Sequence, residues 1–244
     1  MRWIALLLVG LGLVASAQAQ ARKSSLLILA PPVAGGGTPT GNTWSIISTN
    51  ESNGATGTAP AGNVGDLIVA VHKWENTSCD INWMSNDLNG VMTFRGSQVN
   101  SPGADTHMHI ATVVATDASQ LNITANYTSA AAFQNWTIYR CRVTGTIAYG
   151  TVVSGSGSGT SVSAGTYTTA TVNGLVIGGV GPDGSSTHSS SQLGGQTATV
   201  LAVTGASTIG MSYLHTAQQS SASLTDTLGT SRGWVAKAIS LTAQ

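Results

Sequence analysis

Charge is what this chain has least of. Only 7% of its 244 residues are Asp, Glu, Lys or Arg, nine of each sign, and the formal net charge is zero. Neutralising nucleic-acid phosphates takes a patch of Lys and Arg. None is visible, so nucleic acid is not an expected partner. Carboxylates are scarce as well: Glu51 and Glu75, plus seven aspartates, of which Asp66, Asp87 and Asp183 sit in turn-like settings. Acid–base chemistry needs carboxyl groups held in position, and the nearest cluster, Glu75 with Asp80, reads as solvated loop charge. No glycine loop of the phosphate-binding type occurs. The expectation is a protein that is not an enzyme and needs no cofactor. Helix formers are few outside the N-terminus, while hydrophobic residues at 41% rule out a disordered chain. With 30 glycines and polar positions filled mainly by Ser and Thr, the surface is solvated by hydroxyls. That composition suits an extracellular or particle-surface β protein, and weak charge repulsion between copies favours self-association.

Cysteine is limited to Cys79 and Cys141, 141 − 79 = 62 residues apart. Without a CxxC spacing, zinc or redox chemistry is not indicated. In an exported chain the two are expected to form a disulfide; in a reducing compartment they would be small buried hydrophobes.

What the chain does have is alternation. Asn135 to Val143 places Trp136, Ile138, Arg140 and Arg142 on one side and Thr137, Tyr139, Cys141 and Val143 on the other, the period of a strand. Trp234 to Leu241 is a fainter copy. Leu67 to Val71 is apolar on both faces, hence a buried strand, and Gly174-Leu-Val-Ile177 echoes Gly65-Asp-Leu-Ile-Val69. His107 to Thr116 and Leu121 to Tyr127 also alternate, and have echoes at Ile209 to Thr216 and Ser223 to Leu228. The offsets, 175 − 67 = 108 and 234 − 136 = 98, are unequal, as expected if strand order is kept and loops vary. The fold expected is an all-β antiparallel sandwich of two similar halves, about 43–145 and 160–244, joined by a flexible Ser154–Gly159 connector.

Ahead of this lies a hydrophobic segment. Residues 1–19 read as a secretory signal, with Arg2, an apolar run from Trp3 to Val14, and small-residue cleavage patterns up to Ala19. The run is shorter than the roughly 20 residues of a membrane span; the alternative is an uncleaved, buried helix. Residues 20–42 read as a Pro- and Gly-rich arm on which Leu26, Leu27, Ile28 and Leu29 form an apolar anchoring element.

Ligand-type motifs are sparse. His107 and His109 lie at i and i+2 on one strand face, a minor metal candidate if His72 is on the adjacent strand. Ser85-x-Asp87-x-Asn89-Gly90 starts like a calcium loop, but Gly96 stands where its last acidic ligand belongs. Trp74, Trp83, Trp44 and Tyr149 are candidate sugar-stacking aromatics. Trp83, among polar neighbours, is the first choice for exposure, with Asp80 and Asn82 as polar partners.

Together, Gly65–Val71, Met108–Val114, Leu121-Asn-Ile-Thr124, Trp136–Val143 with Thr144-Gly145, Gly174–Ile177 and Trp234–Leu241 resemble a jelly-roll-like β-sandwich module. Such modules are frequent in bacteriophage structural proteins and bacterial exported surface proteins, and the resemblance spans roughly residues 43–242. Similar modules build tail fibres, head decorations and adhesins. The resemblance therefore implies a non-enzymatic structural or adhesive protein, secreted or on a virion surface. Its partners would be further copies of itself, a trimer for instance, together with virion proteins or a host-surface glycan. It carries over no catalytic residues. The alternative is a secreted carbohydrate-binding module.

Overall fold

A computed structural model describes residues 43–103, 105–169, 173–203 and 206–244. The signal-like segment, the arm and its Leu26–Leu29 element lie outside the described residues. The described residues form strands β1 (Trp44–Asn53), β2 (Thr56–Ala59), β3 (Leu67–Glu75), β4 (Ile81–Asn86), β5 (Gly90–Val91), β6 (Thr93–Phe94), β7 (Val99–Asn100), β8 (Thr106–Val114), β9 (Leu121–Tyr127), β10 (Ala132–Val143), β11 (Ile147–Thr168), β12 (Gly174–Pro182), β13 (His188–Leu193), β14 (Gln196–Thr197), β15 (Thr199–Ala202), β16 (Ile209–His215) and β17 (Ser220–Ala243). Every ladder among them is antiparallel.

Three sheets result. Sheet A runs β1-β10-β3-β8-β6 with β7 beside β8, sheet B runs β2-β9-β4-β5, and sheet C runs β14-β13-β17-β12-β16-β15 with β11 beside β17. Sheet A is the middle layer. One face, with Ile68, Ala70, Ala111, Trp136 and Ile138, packs on Met84, Leu121 and Ile123 of sheet B. The other, with Leu67, Val69, Val71, Met108, Ile110 and Tyr139, packs on Leu175, Ile177, Val235, Ile239 and Leu241 of sheet C. Both faces of β3 are therefore covered, which is why its sequence reads as an apolar run rather than as alternation. A third core lies where sheet C curls over itself, around Val162, Tyr167, Val180, Met211, Leu224 and Trp234. The antiparallel, sandwich-like all-β character expected from the sequence is what the molecule has.

One expectation is corrected. Ser154–Gly159 is not a connector but part of β11, paired with β17 from Lys237 to Arg232. Its glycines make room. A Cβ on Gly155 would lie 2.6 Å from the Ser163 carbonyl oxygen, and one on Gly157 would lie 2.6 Å from the Trp234 indole. At Gly159, φ is +117° and the register slips, so β11 turns there and pairs next with the N-terminal part of β17. Gly157→Val is accordingly expected to overpack the Trp234 contact, costing about 1–3 kcal/mol. A urea midpoint equal to that of the parent would show that the indole can move aside.

Candidate functional site

Sheet B presents a flat outer face. Alternation along β9 buries Leu121 and Ile123 and turns Asn122, Thr124 and Asn126 outward. Thr56 and Thr58 of β2 pair with Thr124 and Asn122, and Ser85 of β4 pairs with Thr124. A register slip after Ile81 sets Trp83 opposite Asn126. Trp83 is 41% exposed, as expected, whereas Trp74 is fully buried and Trp44 nearly so. Asn82 donates to the Asn126 amide oxygen at 2.9 Å, and Asp80 accepts from Gln98 Nε2 at 2.8 Å. Trp83, Asn82 and Asp80 thus share one end of the sheet, all exposed. Trp74 does not join them.

Trp74 is inside because β3 alternates. His72 and Trp74 follow Ile68 and Ala70 on the face toward sheet B. There Trp74 lies between His107 (centroids 5.4 Å apart) and His72 (5.2 Å), and His72 stacks on Trp136 at 3.6 Å. His72 and His109 are direct cross-strand neighbours, as the metal expectation required. Their rings are committed elsewhere. His72 Nδ1 donates to the Asn135 carbonyl (3.0 Å), His109 Nδ1 to that of Ile110 (2.9 Å), and His107 Nε2 to that of Asn76 (2.9 Å). No three His, Cys, Asp or Glu converge among the described residues. Burial pushes the His72 imidazole down to about 3 and that of His109 down to about 4.

The expected disulfide is absent. Cys79 and Cys141 are both free and buried. Cys141 pairs with Leu67 at the start of β3, whereas Cys79 follows Glu75 at its far end. A disulfide needs Cα atoms within about 7 Å, and a nine-residue strand separates these two. Cys141, next to the buried face of sheet A, has its thiol pushed up by burial and by Asp66.

Two groupings escaped the sequence reading. Gly229-x-Ser231-x-Gly233 has the spacing of a hydrolase nucleophile elbow, but it lies within extended β17 and lacks the strand-to-helix turn that projects the serine. Asp226 joins His188 and Ser191: the serine hydroxyl donates to Asp226 Oδ1 at 2.7 Å, and His188 Nδ1 faces Oδ2. Activating a hydroxyl requires the imidazole, not the carboxylate, against it. This order fixes β13 to β17 instead.

At the opposite end of sheet A stands a buried ion cluster. The Arg140 side chain is 0% exposed, and its five N–H donors all find acceptors. Nε donates to Asp66 Oδ2 (3.0 Å), Nη1 to the carbonyls of Pro60 (2.7 Å) and Ser119 (3.1 Å), and Nη2 to those of Asn63 and Asp117 (both 3.0 Å). A Cβ at Gly62 would collide with this guanidinium. Arg142, 40% exposed, grips Asp66 from outside through Nε (2.8 Å) and Nη2 (3.0 Å). Burial works against the Asp66 carboxylate, but the bonds from Arg142, the Asn63 amide and Arg140 hold it below its usual range. Beside the cluster, where β10 passes into β11, lies an open groove of about 710 Å³ edged by Val64, Val114, Arg142, Gly145 and Tyr149.

No protein-family model, no curated protein and no solved structure matches this chain.

Proposed function

We propose that the protein is a non-enzymatic surface protein of the virion fibre or decoration type, built from two jelly-roll halves and acting by self-assembly and contact. Nested pairing supports the architectural part. In the first half β1 pairs with β10, β2 with β9, β3 with β8 and β4 with β5. In the second, the start of β11 pairs with the end of β17, the end of β11 with the start of β17, β12 with β16, and β13 with β14. A hairpin of strands rolled up on itself has this order.

The functional part rests on one observation: much of the chemistry-bearing side-chain set faces inward. Asp66, His72, Lys73, His107, His109, Arg140, Asp226 and Lys237 are all buried, while the outer face of sheet B shows water mainly hydroxyls and amides, with Trp83 and Val91. Such a face makes contacts rather than reactions. Native mass of the purified chain, with a search for it in sedimented particles, tests the reading. A homo-oligomer or particle-bound protein is expected. A monomer at tens of micromolar, absent from particles, would overturn it.

Trp83 favours a second reading, a secreted carbohydrate-binding module. An exposed indole beside paired amides offers a pyranose ring an apolar platform and polar edges. Glycan-array binding abolished by Trp83→Ala is its expected result; unchanged affinity would remove it.

A further inference from the structure

We infer that the groove where β10 passes into β11 binds a carboxylate-bearing sugar. Arg142 would hold the acid group, and Tyr149 and Val114 would carry the ring. The argument starts from where free cationic donors lie. The described residues hold six cations: Lys73, Arg95, Arg140, Arg142, Arg232 and Lys237. Lys73 is paired with Glu75, Lys237 is buried against the Ser97 carbonyl, and every donor of Arg140 is engaged. Three keep free N–H groups, and one of them, Arg142, lines this groove, while Arg95 stands against the ring of its Tyr149. Arg142 turns Nε and Nη2 to Asp66 and leaves Nη1 without a partner among the described residues. Arg95 donates through Nε to Thr112 (2.6 Å) and stands over the Tyr149 ring, its guanidinium carbon 3.3 Å from the centroid.

At the ion cluster itself two guanidinium groups share one carboxylate, Arg140 and Arg142 both bonding Asp66, so 2 − 1 = +1. The unengaged Nη1 of Arg142 offers a carboxylate oxygen a charged donor. Val64, Val114 and Tyr149 are exposed apolar surfaces around it, suited to the C–H face of a pyranose. The volume lies within the few hundred to one thousand Å³ usual for small-ligand sites. A neutral glycan would leave the two guanidinium groups of the cluster sharing one carboxylate, and a bare inorganic anion would leave Tyr149 and Val114 wet.

The groove shares no residue with sheet B, which carries Trp83, and does not depend on the surface-protein reading. A monomer that binds the acid sugar would end the assembly proposal and keep this one. The test is calorimetric titration of the full chain with a tetra-uronate and with a neutral tetraglucoside. Binding of the uronate alone is expected, weakening as salt is raised and insensitive to Trp83→Ala. Arg142→Gln should lower affinity at least tenfold. Because Arg142 also braces Asp66, Val114→Asp serves as a second variant that keeps Arg142, Arg140 and Asp66; its new carboxylate should compete for Arg142, repel the ligand and lower affinity at least tenfold. Equal affinity for the neutral sugar, displacement of the uronate by equimolar inorganic phosphate, or unchanged affinity in Val114→Asp would each overturn the assignment.

Discussion

Replacing Arg140 with methionine is expected to lower the unfolding free energy by about 3–5 kcal/mol, the usual cost of removing one partner from a buried ion pair. The geometry puts the effect at the upper end of what one substitution does. Four carbonyl oxygens and Asp66 Oδ2 lose their donor together. Those acceptors sit in the loops before β3 and before β9, so one side chain ties β10 to both loops. Lysine is not a rescue, since a single ammonium cannot span five acceptors arranged in a fork. Arg140→Lys is therefore expected to lie close to Arg140→Met in chemical denaturation. A loss under 1 kcal/mol in Arg140→Met would mean that water replaces the guanidinium at little cost, and that the cluster is not what holds these loops.

Mild acid is expected to unfold the protein before its carboxylates titrate. Burial holds the folded-state values of His72 near 3 and His109 near 4, against about 6.5 in an unfolded chain. Between these values the unfolded state binds the extra protons, so stability is full above pH 6.5 and falls as pH drops toward 4. Each histidine contributes a slope of about 1.4 kcal/mol per pH unit, and the two together about 2.7. Over two units that rivals the whole stability of an ordinary domain. The melting temperature should drop from pH 6.5 to 4.5, and His109→Gln should reduce the slope, the rest coming from His72 and from His215, which burial also holds below its usual range. A flat profile over this window would contradict the burial of these imidazoles as neutral rings.

Strands were readable wherever alternation or a continuous apolar run spelled out how many faces are covered, as in Leu67–Val71 and Trp136–Val143. The alternation even set Arg140 and Arg142 on the same side, though it gave Asp66 only the role of a turn cap. Their meeting depends on the β3–β10 register, which no local pattern states. Register also decided the cysteines: counting two suggests a bond, but pairing sets them at opposite ends of β3. Ser154–Gly159 misled for a related reason. Its composition is that of a linker, and only the distant Trp234 explains why glycine is needed in a strand there. At the candidate site, the polar neighbours of Trp83 revealed its exposure. Trp74 was misjudged because its place on the inward face of β3 follows from counting two by two from Ile68. The groove at Arg142 and Tyr149 left no local trace, since loops before β3, the end of β10 and the start of β11 all contribute to it.

Among the described residues no ladder joins sheets A and C; packed side chains hold the two layers together. On the ribosome this matters. Sheets A and B are complete once Val143 has been made, yet β17, which brings Val235, Ile239 and Leu241 to the cover for Leu67, Val69, Val71, Met108 and Ile110, ends 243 − 143 = 100 residues later. At about 5–20 residues per second the bare apolar face waits some 5–20 s. During that interval sheet C of another nascent chain offers the same complementary face. Crowded polysomes would thus yield exchanged dimers, in which sheet A of each protomer is capped by its neighbour's sheet C.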